Sequence, residues 1–142
     1  MLTVEKTLLL KNADLFQDIA DESLASIAQL LEEQTIEAGV TLFEKGDSGH
    51  ALYIIAEGSV KVHDGDHELA ELHAHDFFGE LSLLDAEPRS ASVTTLSECM
   101  LLRLEQTVFY EAVALYPDVL KGVIRTLCRR LRLMDAKLAG AN

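Results

Sequence analysis

Phe78-Gly79-Glu80-Leu81-Ser82-Leu83-Leu84-Asp85, running into Glu87-Pro88-Arg89-Ser90-Ala91-Ser92-Val93, is the stretch of the central sequence that follows neither a strand period nor a long-helix period. A short helix that starts at Gly79 and stops ahead of Pro88 fits it best, because proline lacks the N–H and fixes φ. Exposed backbone N–H groups at such a start favour an anion. Arg89 follows directly. Between Lys61 and Arg103 it is the only basic residue, set among Asp64, Asp66, Glu68, Glu71, Asp76, Glu80, Asp85, Glu87 and Glu98. A guanidinium beside a helix start makes a compact phosphate site inside an acidic protein. The competing reading of Arg89 is a surface ion pair of little energetic weight.

Outward from this segment the chain divides by period. From Gln34 to Leu104 short β-rich runs (Val40–Phe43, Ala51–Ala56, Ser59–His63, Glu68–His73, Ser90–Thr95 and Met100–Leu104) are punctuated by Gly39, Lys45-Gly46-Asp47, Glu57-Gly58 and Asp64-Gly65-Asp66. Turn signals at roughly 8–12-residue spacing are the rhythm of a sandwich or barrel. Lys61–Asp66 followed by His67-Glu68-Leu69 reads as a hairpin. Before this region, Thr3–Leu10 is helical and Asp21 is a candidate N-cap for a helix from Glu22 to about Glu33, with Leu24, Ile27, Leu30 and Leu31 on one face. After it come Val108–Leu115, a stop at Tyr116-Pro117, and a long final helix. There Leu120, Ile124, Leu127, Leu131, Met134 and Leu138 alternate steps of four and three. Such a seam lies along a partner surface or in a coiled coil. The expectation is one domain over 1–142: helices over 1–33, a β-roll over 34–104, helices over 105–142.

A chain of 142 residues, nearly half apolar and one quarter charged, has room for one domain with a real core. No apolar run approaches the roughly 20 residues that span a bilayer. Glu5 and Lys6 interrupt the N-terminal stretch and no small-residue cleavage site follows, so a secretory signal is not expected. Cys99 and Cys128 lie far apart, as buried reduced thiols of a cytoplasmic protein. A net charge of −12 argues against nucleic acid as a direct partner, since affinity for DNA comes mostly from neutralising phosphates with Lys and Arg.

The stretch from Phe78 to Leu84 and on through Pro88-Arg89-Ser90-Ala91-Ser92-Val93 closely resembles the phosphate-binding cassette of the cyclic-nucleotide-binding domain family. That family includes catabolite activator protein, the regulatory subunits of cyclic-AMP-dependent protein kinase, and cyclic-nucleotide-gated channels. The resemblance extends to Gly39–Asp47, Ala51–Val60 and Asp76–Glu80 and covers essentially the whole chain. It implies a mainly β fold, a jelly-roll β-roll with N-terminal helices and a long C-terminal lid helix. It implies a sensor for cyclic AMP, favoured over cyclic GMP, with no other cofactor, whose lid closes on the ligand to control an effector absent from this chain. By the same resemblance Glu80 accepts a hydrogen bond from the ribose 2′-hydroxyl and Arg89 pairs with the cyclic phosphate. The backbone N–H groups of Gly79, Leu81, Ser90 and Ala91 line the sugar-phosphate, and Ser82 and the Ser90 hydroxyl belong to the same site. Glycine at 79 lets the backbone approach a ligand closely. Threonine at the position of Ser90 favours cyclic GMP in the kinase members, and serine occurs in the catabolite activator, so the purine is left open. The lid arginine falls at Arg130, with Met134 one turn on and Arg129 and Arg132 as neighbours. The leucine seam fits packing of that lid on the barrel, and it fits equally the pairing of two copies.

Two features depart from the family pattern. His73-Ala74-His75 stands where a glycine turn is more usual, and His50 where a small or acidic residue is. His73, His75 and Glu80 resemble the first half of a cupin metal motif, which makes a metal-binding jelly roll the alternative. No glycine stands six residues before His73 and no histidine follows His75, so a fourth ligand is missing. A second alternative is an interaction scaffold that binds no ligand. Ser82, Ser90 and Ser92 have no partner histidine, so no catalytic nucleophile is expected.

Overall fold

The computed structural model describes residues 1–140; the last two positions of the expected C-terminal helical segment, 141 and 142, lie outside them. In chain order the elements are α1 (Thr3–Asn12), a 3₁₀ turn (Asp14–Phe16), α2 (Asp21–Ala28), β1 (Glu32–Ile36), β2 (Thr41–Phe43), β3 (Ala51–Glu57), β4 (Val60–Asp64), β5 (His67–Leu72), β6 (Phe77–Phe78), α3 (Glu80–Leu84), β7 (Ser92–Thr95), β8 (Cys99–Glu105), α4 (Gln106–Leu115) and α5 (Pro117–Gly140). Contacts divide the chain into a β unit, Leu30–Tyr110, and a helical unit formed by Met1–Gln29 and the segment that begins at Glu111.

In the β unit two antiparallel four-stranded sheets run in the orders β1-β8-β3-β6 and β2-β7-β4-β5, the two layers of a jelly-roll β-roll. β3 and β8 are the most apolar strands and pair along their length, with Leu52 opposite Leu104 and Ile54 opposite Leu102. Strands buried on both faces read as nearly continuous apolar runs, as Ala51-Leu52-Tyr53-Ile54-Ile55 does. The core between the sheets joins Ile55, Phe78 and Leu101 of the first to Val60 and Val93 of the second. Fully burying side chains of this size stabilises by about 1.5–3 kcal/mol each. The expected hairpin is β4–β5, closed between Asp64 and His67 with Gly65 at φ 58°.

In the helical unit Leu10, Phe16, Leu24 and Ile27 are buried together with Val119 and Val123 from α5. Helix α5 comes so close to the turn before α2 that a Cβ at Gly122 would lie 2.9 Å from Ile19 Cγ1. Two ion pairs reinforce that approach, Arg129 to Asp18 at 2.8 Å and Arg130 to Asp14 at 2.6 Å. The hydrogen bond from Arg129 holds the Asp18 carboxyl below the usual carboxylate range.

Several expectations need correction. Helix α2 ends at Ala28, not at Glu33. Glu32 and Glu33 belong to β1, whose partner β8 places Glu32 opposite Arg103. Tertiary pairing overrides the helix preference of Glu-Glu-Gln here. Asp21 sits in the first turn of α2 rather than at its cap, which is Ala20 with no side-chain bond. Cys99 is buried, but Cys128 is only half-buried. Among the described residues no helix is long and apolar enough to cross a membrane.

His75 occupies the left-handed region at φ 78°, in the turn where its N–H donates to Ile55 O at 2.7 Å. That conformation costs a residue with a Cβ about 1–2 kcal/mol, offset in part by the roughly 0.5–1 kcal/mol of chain entropy that glycine gives up on folding. His75→Gly should therefore raise the melting temperature by about 1–3 °C, read by calorimetry. A fall would show that the histidine ring contributes more than its backbone costs.

Candidate functional site

The segment between β6 and β7 turns sharply because Gly79 has φ 79°. Its absent side chain is required twice over. An ideal Cβ there would lie 2.6 Å from Ala51 O and 2.7 Å from Arg89 Nη1. The expected short helix, α3, follows at once, closed by Ser82 N–H to Gly79 O at 3.1 Å. Its far end is held by Tyr110 of α4, whose hydroxyl donates to Leu84 O at 2.7 Å.

Among the described residues Arg89 is the only charged one that is buried, with 8% of its surface exposed. The surface-ion-pair reading of it does not hold. Nη1 donates to Ser82 Oγ at 3.1 Å and Nη2 to Ala51 O at 3.2 Å. Its Cζ lies 4.1 Å from the centroid of the Phe43 ring. Nε is buried with no hydrogen-bond partner. Among the described residues no carboxylate lies within ion-pair distance of it, whereas Arg103 has two, and Arg129 and Arg130 each have at least one. Burial pulls its pKa below the ordinary arginine value, with the Tyr53 phenol opposing that shift. An arginine remains charged all the same, so a positive charge stands in a largely dehydrated place without a countercharge.

The backbone of Arg89 is strapped to the turn between β2 and β3. Its N–H donates to Asp47 O at 2.7 Å, and its carbonyl accepts from Gly46 N–H at 2.8 Å. Ser48 and Pro88 form an isolated β-bridge beside these bonds. Gly49 then passes so close that a Cβ would lie 2.6 Å from Arg89 Nε. These bonds set a side chain late in the chain against a turn some forty residues earlier.

The residues named from the sequence distribute as follows. Gly79, Glu80 and Ser82 are half-buried, Leu81 and Ser90 are exposed, and Ala91 is half-buried, all in the segment that carries Arg89. The N–H groups of Ser90 and Ala91 carry no hydrogen bond among the described residues. Arg130 and Met134 belong to α5 in the helical unit, where Arg130 is engaged by Asp14 through both Nε and Nη2. Sequence reasoning missed Phe43, Gly49 and the Ala51 carbonyl. Their roles depend on the fold bringing β2 and β3 to Arg89, and no local spacing signals that. His73 hydrogen-bonds Glu71 at 2.9 Å. No group of three or more His, Cys, Asp or Glu side chains converges in a metal-holding arrangement among the described residues, which does not favour the cupin-like alternative.

Arg89 is thus a buried arginine with no carboxylate partner among the described residues, under a glycine turn of a two-sheet β-roll, and comparison with known proteins names the class. The chain belongs to the cyclic nucleotide-binding domain family, whose profile matches residues 33–116. It is 32% identical to the CRP-like cAMP-activated global transcriptional regulator of Mycobacterium tuberculosis over 92% of this chain, and it spans 61% of that protein's length. Among solved structures it resembles the N-terminal domain of a transcriptional regulator from Streptomyces coelicolor, with a TM-score of 0.85, 35% identity, 91% of this chain and 93% of that one covered. It also resembles the regulatory domain of Toxoplasma gondii PKA co-crystallised with cAMP, with a TM-score of 0.71, 31% identity, 78% of this chain and 44% of that one covered.

Proposed function

We propose that the chain is a cytoplasmic, non-catalytic sensor that binds cyclic AMP in preference to cyclic GMP and passes the binding event to an effector carried elsewhere. The observation that carries this reading is Arg89, a buried guanidinium whose remaining demand is a negative charge. A cyclic phosphodiester supplies one. In this reading Arg89 pairs with the phosphate, while the N–H groups of Gly79, Leu81, Ser90 and Ala91 and the hydroxyls of Ser82 and Ser90 line the sugar-phosphate. Glu80 accepts a hydrogen bond from the ribose 2′-hydroxyl. The preference for cyclic AMP is supported by two similar proteins, one cAMP-activated and one crystallised with cAMP. By the family resemblance, helix α5 takes the part of the lid, with Arg130 and Met134 assigned to the base.

The same helix carries a partner surface. Leu120, Ile124, Leu131, Met134 and Leu138 are all exposed, while Val119, Gly122, Val123 and Thr126 make the buried face. With Leu127 of the same series half-buried, this exposed apolar row fits a second copy of itself, and the occupant proposed here is another protomer's α5.

Titration of the purified chain with cyclic AMP, cyclic GMP and their 2′-deoxy analogues tests the ligand assignment. Arg89→Ala should weaken cyclic AMP binding by a hundredfold or more, since removing one member of a buried charge pair costs about 3–5 kcal/mol. Unchanged affinity in a calorimetric titration would remove the assignment. The deoxy analogues should bind more weakly to the native chain but not to Glu80→Ala. Arg130→Ala should cost less than about tenfold in affinity and shift the cyclic AMP to cyclic GMP ratio. An equal loss for both nucleotides would exclude it from base contact. Leu131→Glu should convert a dimer to a monomer by sedimentation velocity, because a charge at a seam position faces its own symmetry mate; a native chain that sediments as a monomer ends the pairing proposal.

A further inference from the structure

We propose that Phe43 is a positioning residue for the ligand's phosphate, its ring face standing in for the carboxylate that Arg89 lacks. The inference rests on the sensor reading above and deepens it. The guanidinium carbon lies 4.1 Å from the ring centroid, within the range over which the negative face of an aromatic ring attracts a cation. A carboxylate at this place would satisfy the charge and compete with an incoming phosphate. A ring attracts the cation without neutralising it, so the positive charge stays available.

The ring also ties the two halves of the site together. Phe43 lies 6.0 Å from Phe78 and 6.3 Å from Tyr53, and Tyr53 stacks on Phe78 at 5.1 Å with an interplanar angle of 11°. Phe78 is the residue immediately before Gly79. The glycine turn and the guanidinium are thus referred to one aromatic platform, contributed by β2, β3 and β6. Arg103 buttresses its other end, with Nε 3.3 Å from the Tyr53 hydroxyl. Arg89 has three further anchors: the Ser82 hydroxyl, the Ala51 carbonyl and the closeness of Gly49. None of these is a negative ring face. Phe43 therefore adds, to the bonds that orient Nη1 and Nη2, an attraction that holds the guanidinium carbon over the ring.

Replacing Phe43 by mono-, di- and trifluorinated phenylalanine tests this with almost no change of shape. Each fluorine withdraws charge from the ring face. Affinity for cyclic AMP should fall stepwise, by roughly three- to tenfold at the trifluoro ring, with the circular-dichroism spectrum of the folded chain unchanged. Phe43→Tyr, which keeps the ring face, should bind like the native chain, and Phe43→Leu at least as weakly as the trifluoro variant. A flat series, or tighter binding as fluorines are added, overturns the inference, because a ring that only fills space, or one that restrains Arg89 against the ligand, would give those results. A native chain that binds no cyclic nucleotide removes the sensor reading instead, so the two failures are told apart.

Discussion

The β unit is built around a guanidinium that no carboxylate neutralises. Dehydrating a charge is expensive, and burying an arginine ordinarily requires an acid beside it. Arg89 has instead a carbonyl, a hydroxyl and a ring face. These are dipoles and a quadrupole, which lower the energy of the cation and leave its net charge in place. The unit does not lack acids. Between Leu30 and Tyr110 sixteen carboxylates face four basic side chains, Lys45, Lys61, Arg89 and Arg103. All but Glu80, which opens α3, fall in loops, at strand ends and on outward-facing strand positions, with Asp64 engaging Lys45 and Glu105 engaging Arg103. The charge of Arg89 is kept apart by where the fold lets acids reach.

That separation depends on backbone more than on side chains. Arg89 is reached through two main-chain bonds to the β2–β3 turn, and it is enclosed by two glycines whose missing Cβ atoms would each come within 3 Å of its guanidinium. Gly79 is a glycine for its left-handed φ as well as for space; Gly49 has an ordinary backbone, so the guanidinium alone accounts for it. Close approach of rigid main chain fixes the fork more tightly than exposed side chains could, because fewer rotamers must be held. A site preorganised in this way loses little entropy when a ligand arrives.

Much of this was legible in the sequence because the relevant signals are local. Turn glycines marked the strand boundaries, Gly65 marked the hairpin, and the break in period ahead of Pro88 located α3 and drew attention to Arg89. What escaped was non-local. Glu32-Glu33-Gln34 has helix-forming composition, and only its pairing with β8 makes it a strand. The two residues of β6 are too few to show a period, and register with Tyr53 and Ile54 alone defines them. Phe43 reads as an ordinary strand aromatic and Gly49 as an ordinary loop glycine. Their relation to Arg89 follows from the Ser48–Pro88 bridge, which joins residues far apart in the chain.

The charge argument also becomes sharper once it is resolved in space. The helical unit carries eight acidic and eight basic side chains, so the whole net charge of −12 belongs to the β unit. An anion approaching that unit meets repulsion, which salt screens over roughly 8–10 Å. Long-range steering therefore cannot be what brings a phosphate to Arg89; contact must. The repulsion grows with the charge of the approaching molecule, while the attraction at the site is limited to one guanidinium and a few N–H groups. A ligand with a single negative charge, compact enough to reach beneath the Gly79 turn, keeps most of the attraction and meets the least repulsion. A polyphosphate or a nucleic-acid strand meets the reverse. Sixteen carboxylates in the unit that holds one arginine without an acid partner thus disfavour polyanions more than a singly charged phosphate ester.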